Sequence, residues 1–83
     1  MKISTKGRYA LRILADIAEH GVEKNVPIRE IAERQGFSDK YLEGIVSRLS
    51  SAGLVKSGRG KYGGYRLVKS PAEYNVYEIL YAA

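Results

Sequence analysis

Gly36 and Ser38 constrain this chain more tightly than any other pair of residues. They lie inside Ile31–Val55, which reads IAERQGFSDKYLEGIVSRLSSAGLV. A glycine after an apolar-periodic run supplies the positive φ that a helix C′ position needs, and a serine two residues later is a good N-cap. One helix therefore stops and another begins within a tight turn. From Ser38 onward Leu42, Ile45, Val46 and Leu49 recur at helical spacing, and Gly53 closes the element. The opposite face carries Lys40, Glu43, Gly44, Ser47 and Ser51, with Arg48 at its border. Polar and small side chains let such a face approach another surface closely and hydrogen-bond to it. A helix–turn–helix with that outer face suits a DNA major groove. A bundle helix with a solvated side shows the same pattern, so the rest of the chain has to discriminate.

Charge distribution is the first discriminator. The net charge is +5, from 14 Lys+Arg against 9 Asp+Glu. Residues 1–15 hold Lys2, Lys6, Arg8 and Arg12 with no acid, and residues 52–70 hold Lys56, Arg59, Lys61, Arg66 and Lys69, again with none. Between them, residues 16–36 are net acidic through Asp16, Glu19, Glu23, Glu30 and Glu33. Two basic blocks around an acidic one point to a polarised surface and a polyanionic partner. A charge serving solubility alone would be interspersed.

Eighty-three residues are expected to make one domain with a small core. No apolar run approaches the ~20 residues that span a bilayer, and Met1-Lys2-Ile3-Ser4 leads into a helical pattern without a signal-peptide apolar region. The expected compartment is the cytoplasm. The chain has no cysteine, so neither a disulfide nor a thiolate metal site forms within these residues.

The first helix is predicted over residues 4–20, capped by Ser4 or Thr5 and ended by Gly21, with Tyr9, Ala10, Ile13, Leu14, Ile17 and Ala18 as its apolar stripe. Gly7 inside it costs about 1 kcal/mol against alanine. It fits either close packing on a neighbour or close approach of the helix N-terminus to a phosphate. Lys6 and Arg8 on either side favour the phosphate. Residues 21–27 are a loop, and Pro27 favours the start of a helix from Ile28 to Gln35, with Ile28, Ile31 and Ala32 inward. The outer Arg29, Glu30, Glu33 and Arg34 are spaced for local charge pairs of a few tenths of a kcal/mol. His20 suits the negative end of the first helix and has no partner at metal-ligand spacing.

After the third helix, Leu54–Ser57 and Tyr65–Val68 are predicted strands joined by GRGKYGG, four glycines in seven residues. The loop allows positive φ and close backbone approach, and Arg59 and Lys61 add charge. A nucleotide-phosphate loop is excluded by context, since that motif ends in Gly-Lys-Ser/Thr and joins a strand to a helix. The hairpin is a wing. Pro71 ends it, and a last helix is expected near Asn75, with Asn75 and Glu78 as a capping box and Tyr74 and Ile79 as a hydrophobic staple. Its Val76, Ile79, Leu80 and Tyr81 have little in the sequence to bury them. The expected organisation is a winged helix–turn–helix over residues 1–70, mainly α with a small β-hairpin, and the start of a further helix over 71–83. The expected continuation is a dimerisation region downstream.

At this point the residues resemble a family. MKISTKGRYAL, IAERQGFSDKYLEGIVSRL and AGLVKSGRGKYGGYRL together are similar to the IscR/NsrR/CymR family of bacterial transcription regulators. The wing GRGKYGGY looks closer to the cysteine-metabolism repressors of that family than to its iron–sulfur members, which more often show RGPGGGY. The resemblance implies a homodimer on a palindromic operator in double-stranded DNA, with the recognition helix in the major groove and the wing at the minor groove. It implies DNA contacts from Ser38, Lys40, Tyr41, Glu43, Ser47 and Arg48, and from Arg59, Gly60, Lys61, Tyr62, Gly63 and Gly64 in the wing. Lys6 and Arg8 would meet phosphates. In some family members three cysteine ligands for an iron–sulfur cluster follow this region, and no cofactor is expected within these residues.

Two function classes compete. One is a sequence-specific DNA-binding regulator acting as a repressor. The other is a winged helix that binds protein, which the basic blocks disfavour because protein interfaces are depleted in lysine. An enzyme is the poorest fit: His20 has no Ser or Cys partner set, and no paired carboxylates sit in an apolar setting.

Overall fold

The computed structural model describes residues 3–21, 24–58 and 63–83. Helix α1 runs Thr5–His20, α2 Ile28–Gln35 and α3 Asp39–Ser51. All three begin where the sequence marks them, and α1 and α2 also end there; α3 stops at Ser51 with Ala52 as its cap, ahead of Gly53 at φ 77°. Ser4 Oγ accepts from the Gly7 amide at 3.0 Å, and Gly21 closes α1 by donating to the Ile17 carbonyl. Gly36 takes φ 75° and donates to the Ala32 carbonyl, while Ser38 Oγ accepts from the Tyr41 amide at 3.1 Å. The turn between α2 and α3 is thus three residues long and satisfied at both ends. Ile13 and Ile17 of α1, Ile31 of α2, and Leu42, Val46 and Leu49 of α3 are fully buried together. Val26 and Val55 complete this centre.

Strands β1 (Val55–Gly58) and β2 (Gly64–Leu67) pair antiparallel, with Val55 opposite Leu67 and Gly58 opposite Gly64. Both strands are displaced by one residue toward the wing tip relative to the expectation from sequence. The reason lies in the loop before α2. Val26 and Tyr65 exchange two backbone hydrogen bonds, at 2.8 and 2.9 Å, so that loop adds a one-residue third strand. A Cβ on Gly64 would stand 2.5 Å from the Val26 carbonyl carbon and oxygen, and one on Gly58 would fall inside the Asn25 amide. These two glycines extend the ladder because they let it lie against residues 25–27. Their freedom serves the protein's own packing.

The chain between the hairpin and the last helix departs from expectation. A single 3-10 turn, Pro71–Glu73, precedes α4 (Val76–Ala82). Glu73 Oε1 accepts from the Ser70 amide at 3.2 Å, which places the box-like contact at Ser70–Glu73. Asn75 caps α4 alone, accepting from the Tyr77 amide at 2.7 Å, while Glu78 turns to Lys69 Nζ at 2.8 Å. That pair raises the Lys69 pKa from its ordinary value, chiefly through the hydrogen bond. Tyr74 is more than an apolar staple. Its ring packs on the core, and its hydroxyl donates to the Leu54 carbonyl and accepts from the Val68 amide at 3.0 Å. One phenol thereby ties the start of β1 to the end of β2. Tyr74→Phe leaves the half-buried Leu54 carbonyl unpaired and returns the exposed Val68 amide to water, and should lower stability by about 1–2 kcal/mol in urea unfolding, with an unchanged m-value.

Helix α4 packs on α1. Ile79 is buried in the common core and Leu80 lies over Gly7, where a Cβ would meet its Cδ2 at 2.8 Å. Gly7 is itself buried. The phosphate role favoured for Gly7 from sequence is therefore corrected: its open face is filled by Leu80. Of the apolar residues expected to lack cover, Ile79 and Leu80 find it, whereas Val76 and Tyr81 stay exposed beside Tyr77. Among the described residues no helix is long and apolar enough to cross a membrane.

Candidate nucleic-acid interface

The outward face of α3 presents Lys40, Glu43, Gly44 and Ser47 to solvent, with Tyr41 at its N-terminal edge. Helical spacing places Lys40, Glu43 and Ser47 in one row. A Cβ on Gly44 would have nothing within 4 Å, so the middle of this row is low and open. Glu43 forms no ion pair among the described residues. Arg48 stands apart from the row: its Nη1 donates to the Ala83 carbonyl at 3.1 Å, toward the end of α4.

Lys6 and Arg8 are exposed on the first turns of α1. The next residue, Tyr9, has its ring centroid 5.9 Å from that of Tyr41 and 4.5 Å from that of Phe37. This cluster brings the basic start of α1 beside the start of α3. Ser38 is used as a cap, so its hydroxyl is already engaged. Arg59, Gly60, Lys61 and Tyr62 lie outside the described residues. Gly63 is half-buried and Gly64 is docked on Val26.

Sequence reasoning missed what holds this surface in place. Asp16, on the inward side of α1, is 3% exposed and is the buried charge among the described residues. Its two oxygens accept from Arg34 at 2.7 and 2.9 Å, and Oδ2 also accepts from Gln35 Nε2 at 2.9 Å. Burial pushes its carboxyl up. The hydrogen bonds from Arg34 and Gln35, with the charges of Arg34 and His20, outweigh this and hold it below its ordinary 3.8. Arg34 is thus no mere partner of Glu30, though that pair forms too at 3.5 Å. It anchors the last turn of α2 to α1. The signal available in the sequence was the position of Asp16, one residue before Ile17 on the apolar side of the helix.

Residues 3–83 match the family described as Rrf2, iron-dependent transcriptional regulator. The chain belongs to the Rrf2 family of transcription regulators. It is similar to protein rrf2 of Nitratidesulfovibrio vulgaris, 45% identical over 82 residues that cover 99% of this chain and 55% of that one. It is also similar to the HTH-type transcriptional regulator IscR of Photorhabdus laumondii, at 48% identity over 82 residues, 99% of this chain and 50% of that one. Among solved structures, CymR, the global cysteine regulator of B. subtilis, matches with a TM-score of 0.91 at 44% identity, covering 99% of this chain and 64% of that one. T. potens IscR matches at 0.90 and 45%, covering 99% and 60%. The identities to CymR and to IscR differ by one point over the same share of the chain.

The chain spans about half the length of the curated relatives it matches. The Rrf2 fold here is the winged helix–turn–helix expected from sequence, four helices and a two-stranded hairpin. The family is one of transcription regulators and not of enzymes. Its description names iron, and the donor chemistry present does not fit that metal. The chain has no cysteine, and no group of three His, Cys, Asp or Glu side chains able to hold a metal ion occurs among the described residues.

Proposed function

We propose that this chain is the operator-reading part of an Rrf2 regulator that acts as a homodimeric repressor in the cytoplasm, with α3 in the major groove of a palindromic site. The observation that carries this reading is the α3 face itself: a low, polar, exposed row of Lys40, Glu43, Gly44 and Ser47, open above Gly44 and with no ion pair to Lys40 or Glu43 among the described residues. Lys40 within that row, and the exposed Lys6 and Arg8 at the start of α1, carry positive charge suited to phosphates. Arg59 and Lys61, which lie outside the described residues, add two further basic residues in the wing sequence. The exposed Val76, Tyr77 and Tyr81 of α4 supply an apolar surface of the kind that joins subunits. The binding of protein in place of DNA finds no comparable support, because the α3 row lacks an exposed apolar centre.

Selection of bound sequences from random duplex DNA tests the proposal, and a palindrome is the expected result. Enrichment of no sequence, with an affinity indifferent to salt, would defeat it. Glu43 is assigned a base contact within that reading. A carboxylate near phosphates is unfavourable unless it accepts a hydrogen bond, and in the major groove cytosine N4 offers one. Neither Lys40 nor Arg48 holds Glu43 in an ion pair, which supports base reading over a role in orienting those cations. Glu43→Ala should relax preference at one position of each half-site by roughly 1–3 kcal/mol. Affinity for random DNA should stay level or rise. Unchanged sequence preference with a uniform loss of affinity would reassign Glu43.

A further inference from the structure

Arg12 belongs to the basic block at the start of the chain, yet it does not act as a free cation. Its guanidinium carbon lies 5.5 Å from the Tyr9 ring centroid and 5.2 Å from that of Phe37. Its Nε donates to Gln35 Oε1 at 3.0 Å and its Nη2 to the Gln35 carbonyl at 3.2 Å. Two donors and one flat face are thus spent on the protein. Gln35 in turn donates to Asp16, whose other hydrogen-bond donor is Arg34. The chain of contacts runs from a buried carboxylate, through the last residue of α2, to three rings. Tyr9 and Phe37 pack at 4.5 Å, and each meets the Tyr41 ring edgewise at 5.9 Å. Such ring pairs contribute beyond the area they bury and have preferred geometries. Tyr41 is 37% exposed, and its hydroxyl has no partner among the described residues. It sits on the first turn of α3, at the end of the row described above.

We propose that the cluster Tyr9–Phe37–Tyr41, capped by Arg12, aims the Tyr41 hydroxyl at a DNA backbone oxygen, which makes Tyr9 and Arg12 positioning residues for operator binding. Tyr41 supplies a neutral donor on a ring with few rotamers. Tyr9 and Phe37 fix that ring from two sides, one from α1 and one from the turn. Arg12 holds the two supports together by stacking and by its fork on Gln35, a geometry that lysine does not reproduce. The inference rests on the DNA-binding reading and adds to it that α1 shapes the recognition surface through aromatic contacts as well as by charge.

The test uses Tyr41→Phe, Tyr9→Leu, their double variant and Arg12→Lys, each measured for affinity to a selected operator across a salt series and for thermal unfolding. Tyr41→Phe should weaken binding about fivefold, the weight of one neutral hydrogen bond, with the salt slope unchanged. Tyr9→Leu should weaken binding to a similar extent in the parent and very little in the Tyr41→Phe background. Arg12→Lys keeps the charge and should also lose affinity without a change in slope. Multiplied losses in the double variant, or Arg12→Lys binding as the parent does, would overturn the proposal. Thermal unfolding identifies any variant that has lost its fold, in which case Tyr9→Phe, which keeps the ring, should restore full binding. Failure of the parent itself to bind any duplex would instead sink the DNA-binding reading.

Discussion

Replacing Asp16 by alanine is expected to lower stability by about 3 kcal/mol, the lower end of the cost of breaking a buried ion pair from one side. The lower end applies because Arg34 keeps 30% of its side chain in water while the Asp16 side chain keeps 1%, so the abandoned cation is partly rehydrated. Gln35 Nε2 and two Arg34 donors lose their acceptor at the same time. Urea unfolding at neutral pH measures the loss. Acid gives a second reading. The carboxyl titrates below 3.8 in the folded chain and near 3.9 when unfolded, so its contribution is full above that range and fades as pH falls through the folded value. The gap between parent and Asp16→Asn should therefore be widest above about pH 4 and close on further acidification. A gap independent of pH would show that packing, and not charge, explains the effect.

Gly64→Ala should be comparably severe for a backbone reason. Gly64 has φ 130°, which side chains rarely adopt, and its missing Cβ would stand 2.5 Å from the Val26 carbonyl and 2.7 Å from the Pro27 nitrogen. The atoms in the way are main chain and cannot rotate aside. Either the backbone strains, at about 1–3 kcal/mol, or the hairpin lifts off and loses both Val26–Tyr65 hydrogen bonds, at about 1 kcal/mol each. A loss of about 3 kcal/mol corresponds to a fall in Tm of roughly 10–20 °C for a domain of this size. Gly63→Ala is the control: its nearest neighbour would be the Gly58 carbonyl at 3.9 Å, so it should unfold close to the parent temperature. Hydrogen exchange at Val26 and Tyr65 distinguishes the two routes, rising only if the hairpin detaches. Equal melting of the two variants would show that the Val26 contact does not hold the wing.

The sequence by itself determined whatever depends on local backbone chemistry. Ser4, Ser38 and Asn75 cap their helices because a short side-chain oxygen reaches an unpaired amide in whatever fold it occurs. Gly36 and Gly21 end theirs, and the period of Leu42, Ile45, Val46 and Leu49 fixes which face of α3 turns inward. The outward row that carries the proposed function follows as the complement of that buried face, which is why most of the candidate surface was legible. The tertiary structure decided what each of the remaining groups faces. Gly7 lies under Leu80, Gly58 and Gly64 lie on residues 25–27, and Tyr74 reaches the Leu54 carbonyl across 20 residues. Asp16 and Arg34, 18 residues apart, become partners only once α2 folds back on α1. Periodicity says that a side chain points inward; only the packed chain supplies the atom it meets, and for glycines and buried charges that atom sets the role.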